Sequence, residues 1–186
     1  VSTARSSGRA VVAHATTAEG MRRAINAGVE TIEHGDNGTA ELFLLMKQKN
    51  IAFCPTLAAT DAIQQYRGWN KDRDPEPEAI RKKKECFSLA LQSGVTICFG
   101  GDVGVFPHGD NVRELELMVA YGMNNLDALK SATSVNARVF HLNDQLGAVK
   151  NGLLADLIAV KGDPTLKISE LRNITFVMKE GIIYKS

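Results

Sequence analysis

AVVAHATTAEGMRRAINAGVETIEHG, residues 10–35, reads as strand, helix, strand. Ala10 to His14 is a β-branched apolar run. Thr16-Thr17-Ala18-Glu19 carries a capping-box signal, and Met21, Ala24, Ile25 and Val29 then recur at near-helical spacing, with Gly28 as the stop. Thr31 to Glu33 is a second short strand. Strands separated by helices imply a parallel sheet with right-handed crossovers.

Outward from this stretch the rhythm continues. Thr39 opens a helix that puts Leu42, Leu45 and Met46 on one face and ends near Asn50. Ile51 to Leu57 reads as a strand with Pro55 at its exit, because proline cannot donate to a central ladder. Ala58 to Glu78 breaks the pattern and reads as a long loop, rich in polar residues around Tyr66, Arg67, Gly68 and Trp69. Pro77 begins a helix that runs to Ser93, with Gly94 beyond its end, and Val95 to Phe99 is a fourth strand. Val112 to Tyr121 and Asn125 to Leu142 follow as amphipathic helices. After Gly147 the pattern turns β-rich: Asp156 to Val160, a helical turn at Ser169 to Arg172, Thr175 to Met178, and a Glu180-Gly181 hairpin into Ile182 to Tyr184.

In a parallel α/β sheet, ligands bind beyond the carboxyl ends of the strands. His14, His34 and Asp102 all fall there, and the two histidines read as lying at the same register of consecutive strands. Neutral imidazoles and a carboxylate suit a divalent metal, zinc first by donor chemistry, with iron, cobalt and manganese open. Asp102 can also take a proton from water polarised by such a metal. His108, in the Pro107-His108-Gly109 loop on the same face, is a candidate substrate contact. Tyr66 and Arg67 are weaker candidates for a pocket wall or lid. Glu33 would point to the other side of its strand and reads as structural.

The chain has 186 residues, 44% of them hydrophobic and 23% charged, an ordinary globular composition. A full eight-stranded α/β barrel needs ~250 residues, more than this chain provides. A formal net charge of +1 argues against a nucleic-acid surface. The basic run Arg81-Lys82-Lys83-Lys84 reads as a solvated helix face. Three widely spaced cysteines without a C-x-x-C pattern suit buried thiols in a reducing compartment. The cytoplasm is therefore expected, with periplasmic or secreted placement left open. No apolar run reaches the ~18 residues of a membrane span.

VVAHA, AEGMRRAINAGVETIEHG, FGGDVGVFPHGDNVRELELMVAYGM, DALKSATSVNARVFHL, LGAVKNGLLADLIAVKGDP and FVMKEGIIY, in that order, resemble the metal-dependent amidohydrolase superfamily. The branch they resemble most is that of imidazolonepropionase-like and prolidase-like peptidases. The resemblance implies an α/β fold, the C-terminal half of a (β/α)8 TIM-like barrel. Residues 1–146 would supply its fifth to eighth strands with their helices, and residues 147–186 part of a small β-sandwich. It implies His14 and His34 as fifth- and sixth-strand metal ligands. Asp102 becomes the eighth-strand aspartate that binds metal and shuttles the proton, catalytic in that sense. The implied cofactor is Zn2+, one or two ions in the complete protein, and the implied substrate a dipeptide, acylated amino acid or cyclic amide. Many relatives carry threonine where Gly101 stands.

The first-strand histidines and fourth-strand lysine of such a centre have no counterpart here. The chain is thus expected to be a C-terminal fragment, inactive alone. It would be completed by its missing N-terminal half, or by self-association through the strand edges Ala10–His14 and Val95–Phe99. A non-catalytic α/β domain binding a metal or a partner is the alternative from a different class. A flavodoxin-like binding module ranks last, since Ala15-Thr16-Thr17 is a poor phosphate turn.

Overall fold

The computed structural model describes residues Val1–Ser186, which divide into two compact units, Val1–Glu114 and Leu115–Ser186. The expected division at residues 146/147 falls inside the second unit.

The first unit opens with a helical turn, α1 (Ser2–Ser6), and then alternates strand and helix: β1 (Val12–Ala15), α2 (Ala18–Ala27), β2 (Thr31–His34), α3 (Ala40–Gln48) and β3 (Ala52–Cys54). The strands pair in parallel in the order β1-β2-β3. Helix α2 starts at Thr17, whose side chain accepts from Gly20 N at 3.1 Å. The cap is thus Thr17 rather than Thr16, and Glu19 is released to pair with Arg23 at 2.8 Å. At the other end Gly28 takes φ 82, a left-handed stop that sends its N–H to Ala24 and Ile25. Thr39 caps α3 in the same way, accepting from Leu42 N at 3.3 Å.

Two expectations are corrected here. The segment after β3 is not a long loop: α4 (Leu57–Tyr66) forms first, because Leu57-Ala58-Ala59-Thr60-Asp61-Ala62 favours a helix and buries Leu57, Ala58, Ala59 and Ala62. Val95–Phe99 is not a full strand but a single parallel bridge, Phe53 with Ile97, held by Phe53 N to Thr96 O at 2.8 Å and Cys98 N to Phe53 O at 2.9 Å. Between them, α5 (Glu78–Ser93) runs as expected and stops at left-handed Gly94. The core joins Met21, Ile25, Ile32, Phe43, Met46, Ile80 and Phe87, and the Phe43 and Phe53 rings stand 4.9 Å apart.

Helix α6 (Val112–Ala120) begins in the first unit and continues into the second. The second unit then builds α7 (Asn125–Lys130), a π-helical stretch over Ser131–Val135, and α8 (Asn136–Val139). The single helix expected from Asn125 to Leu142 is therefore interrupted, with the Ser131 hydroxyl turned back onto Ala128 O at 2.6 Å. An antiparallel sheet, β4 (Leu157–Val160), β5 (Ile174–Lys179) and β6 (Ile182–Lys185), follows. The chain is mixed α/β, and two three-stranded sheets, one parallel and one antiparallel, stand where a half barrel and a sandwich fragment were expected. The parallel sheet gains only the one bridge on its Ile97 side, because the Val95–Phe99 run ends at Gly100-Gly101. No helix is long and apolar enough to cross a membrane.

Candidate functional site

The parallel ladder aligns His14 with Glu33 and Ala15 with His34. The histidines are thus not at equal register, as the sequence suggests; His34 lies one step further along its strand. In a regular pleat that step would send the two rings to opposite faces. His34 avoids this by taking φ 71, in the left-handed region, where the chain leaves the pleat. Its ring meets that of His14 with centroids 4.4 Å apart at 63°.

Of the five other non-glycine residues with positive φ, two lie beyond neighbouring parallel segments. Thr56 has φ 49 just beyond β3, and Asp102 has φ 58 just beyond the Ile97 bridge. A non-glycine residue held in the left-handed region costs about 1–3 kcal/mol and persists where its surroundings over-determine it. For a β-branched residue such as Thr56 it is a genuine outlier. Three of the six left-handed non-glycine residues, His34, Thr56 and Asp102, therefore sit at the C-terminal ends of successive parallel segments, where ligands of α/β sheets bind.

Each strained residue of the first two has a built support. Thr56 Oγ1 lies 2.7 Å from His34 Nδ1 and donates to Pro55 O at 2.8 Å. The side chain of Lys83 is only 3% exposed; its ammonium donates to His34 O at 2.8 Å and to the Asp36 carboxylate. This corrects the reading of Arg81-Lys82-Lys83-Lys84 as a uniformly solvated face. The signal was present: Ile80, Lys83, Phe87 and Ala90 follow helical spacing, so Lys83 falls on the buried stripe of α5.

Glu114, also missed, is fully buried on α6 and accepts from Leu57 N at 2.9 Å and Ala58 N at 2.6 Å, the first two donors of α4. Burial pushes its pKa up to about 7, against the pull of those two N–H groups and of Lys83. Beside it, Arg113 pairs with buried Asp61 and lies 5.7 Å over the Phe106 ring. Phe106 also accounts for Gly101: a Cβ there would meet the ring's Cζ at 3.0 Å, where threonine would press on it.

The His34 pKa is lowered, first by burial, then by the charges of His14 and Lys83, with Asp102 and Asp36 acting in the opposite direction. Burial and these charges thus favour the neutral ring, the form in which imidazole ligates metals. Because Nδ1 is engaged with Thr56, Nε2 is the nitrogen left for a ligand. The imidazole pair fits a divalent ion. No three His, Cys, Asp or Glu side chains converge to hold one; Asp102 is exposed, and its charge reaches His34.

His108 is exposed in the Pro107–Asp110 turn. Tyr66 is 69% exposed at the last position of α4, with Arg67 following it. Both lie at the opposite end of that ten-residue helix from Thr56, about 15 Å along its axis. The cysteines are buried free thiols; Cys54 is held protonated first by its hydrogen bond with Cys98 and then by burial. A cavity of 520 Å³ in the second unit, walled by Phe140, Leu142, Leu146, Val149 and Leu157, carries only Asp156 as a titratable group. That carboxylate is taken by Glu180 N at 2.8 Å and Lys179 at 3.3 Å.

The family model of the amidohydrolase family matches residues 1–185. The chain belongs to the amidohydrolase family. Among its relatives, the ochratoxinase of Aspergillus niger is 31% identical over 186 residues, covering 95% of this chain and 38% of that protein. A crystal structure of a Xaa-Pro dipeptidase with bound methionine in the active site superposes at TM-score 0.87 with 39% identity, over 100% of this chain and 47% of that one. The A. niger ochratoxinase structure gives TM-score 0.86 at 28% identity, over 100% of this chain and 44% of its own. This family member thus spans less than half the length of the relatives it matches, and the resemblance to the prolidase-like branch holds.

Proposed function

We propose that the chain is the C-terminal half of a metal-dependent amidohydrolase barrel that cleaves amide bonds in small substrates. The observation that carries this reading is the contact of the His14 and His34 rings, 4.4 Å apart, at the carboxyl ends of adjacent parallel strands. The parallel order β1-β2-β3, with the Ile97 bridge beyond it, is what supports a barrel-derived reading. In this reading the segment after Gly147 belongs to the small β-sandwich.

His14 and His34 would hold a divalent ion, zinc by donor chemistry. Such an ion supplies Lewis acidity, which generates a nucleophile from water near neutral pH. Asp102 would join the ligand set and take the proton of the attacking water. It would then return that proton to the leaving amine. His108 would meet the substrate's polar groups from the exposed loop, and Tyr66 and Arg67 would serve a more distant wall. The likeness to a Xaa-Pro dipeptidase favours dipeptides over cyclic amides. The missing half, or a second copy, would complete the sheet at β1 and at Val95–Phe99, and the chain alone would be inactive.

In the whole protein, His14→Ala and Asp102→Ala should each abolish bound metal, read by elemental analysis, together with hydrolysis of a dipeptide panel. Full activity in a variant stripped of metal would sink the mechanism. Turnover at ~1–10³ s⁻¹ by residues 1–186 alone would sink the fragment reading. A second reading is a non-catalytic metal- or partner-binding α/β domain. That reading predicts metal binding with no turnover of any amide.

A further inference from the structure

We propose that Thr56 and Glu114 act together as positioning residues that fix the tautomer of His34, leaving the lone pair on Nε2. The inference rests on the metal-site reading of His34.

A hydroxyl has one hydrogen. That of Thr56 goes to Pro55 O at 2.8 Å. The oxygen can then only accept from His34 Nδ1, 2.7 Å away, so Nδ1 carries the hydrogen and Nε2 the lone pair. A histidine ligand is oriented by the partner of its other nitrogen, and here that partner is a threonine rather than a carboxylate or a backbone carbonyl.

Thr56 is also the N-cap residue of α4, a position where threonine ordinarily turns its oxygen onto the helix's own first N–H groups. It makes no such bond. Of the donors it would be drawn to, Ala58 N is instead held from far along the chain by Glu114, at 2.6 Å, together with the neighbouring Leu57 N at 2.9 Å. Glu114 is a substitute cap. By occupying the helix end it frees the Thr56 hydroxyl to face His34, and by anchoring Leu57 it helps keep Thr56 at φ 49. Without Glu114, the bare Ala58 N–H competes with His34 for the same oxygen.

The test is a two-bond 1H–15N correlation on the histidine-labelled full chain, without metal, at about pH 8, above the ordinary imidazole range. The chain has four histidines, so His34 is assignable by one substitution. The wild type should show His34 as a single Nδ1–H tautomer. Thr56→Val should convert it to a mixture or to the Nε2–H form, and Thr56→Ser should restore it. Glu114→Ala should shift it the same way, and Glu114→Gln, which keeps one acceptor, should do so partially. The double variant Thr56→Val/Glu114→Ala should show no shift beyond Thr56→Val, since both act through one oxygen. A pure Nδ1–H tautomer in folded Thr56→Val overturns the proposal. So does an unmoved tautomer in a folded Glu114 variant. Added Zn2+ reads the metal site separately: it should perturb His34 Nε2, with about 10–100-fold weaker binding in Thr56→Val. A wild type that ignores Zn2+ while keeping its Thr56-dependent tautomer counts against the metal reading alone.

Discussion

Replacing Glu114 with glutamine should change how the stability of the fold depends on pH. Burial raises the carboxyl pKa from 4.5 to about 7, while the Leu57 and Ala58 N–H groups and the Lys83 charge act the other way. An acid whose folded pKa lies above its unfolded value binds its proton more tightly in the folded state. Its contribution to stability is complete below pH 4.5 and is lost as pH rises to about 7. At about 1.4 kcal/mol for each tenfold change in proton affinity, the gap amounts to about 3 kcal/mol. Urea denaturation at intervals from about pH 4.5 to 8 on wild type and Glu114→Gln reads it directly. The difference between the two should change by about 3 kcal/mol across that window, with the wild type losing ground as pH rises. A constant offset of about 1 kcal/mol is expected on top, for the N–H bond that glutamine cannot accept. A flat difference, or one of opposite slope, would refute the reasoning, as would a carbon-detected titration placing Glu114 in the ordinary carboxylate range.

Lys83→Met should destabilise by about 1–3 kcal/mol in the same urea assay, because His34 O loses its buried donor. The cost stays moderate because the Asp36 side chain is 40% exposed and can rehydrate; a neutral or stabilising result would contradict the buried-donor account. Gly147→Ala should cost about 2 kcal/mol or more, since φ is 94 and the new Cβ would lie 2.4 Å from that of Ala137. The pair Gly147→Ala/Ala137→Gly should recover only part of the loss in melting temperature, as the backbone strain remains.

Local signals carried much of the fold. Thr17, Gly28, Thr39 and Gly94 act at helix ends near where the sequence suggested, since caps and left-handed stops are short-range. What escaped was set by tertiary context. Leu57–Tyr66 was obscured because its N-terminal donors are met by Glu114, which is remote in sequence, rather than by an adjacent cap. Val95–Phe99 looks like a strand on composition, yet strand length depends on partners, and Phe53 alone pairs with it. At the site, His14 and His34 were recognisable from their position after apolar runs. Their contact depends on the left-handed turn at His34, which alternation cannot anticipate. The role of Thr56 had no sequence signal, because it combines a helix cap left unused with a hydroxyl aimed across the sheet.

The left-handed backbone at His34, Thr56 and Asp102 also bears on how this chain would respond to selection. A library screened only for thermal tolerance would be drawn to asparagine or glycine at Thr56 and Asp102, which adopt that conformation at less cost. Such variants would survive heating better while discarding the hydroxyl that faces the His34 imidazole and the carboxylate whose charge reaches it. Thermal robustness and chemical competence are therefore opposed at these positions, and a screen for one should be paired with an assay for the other.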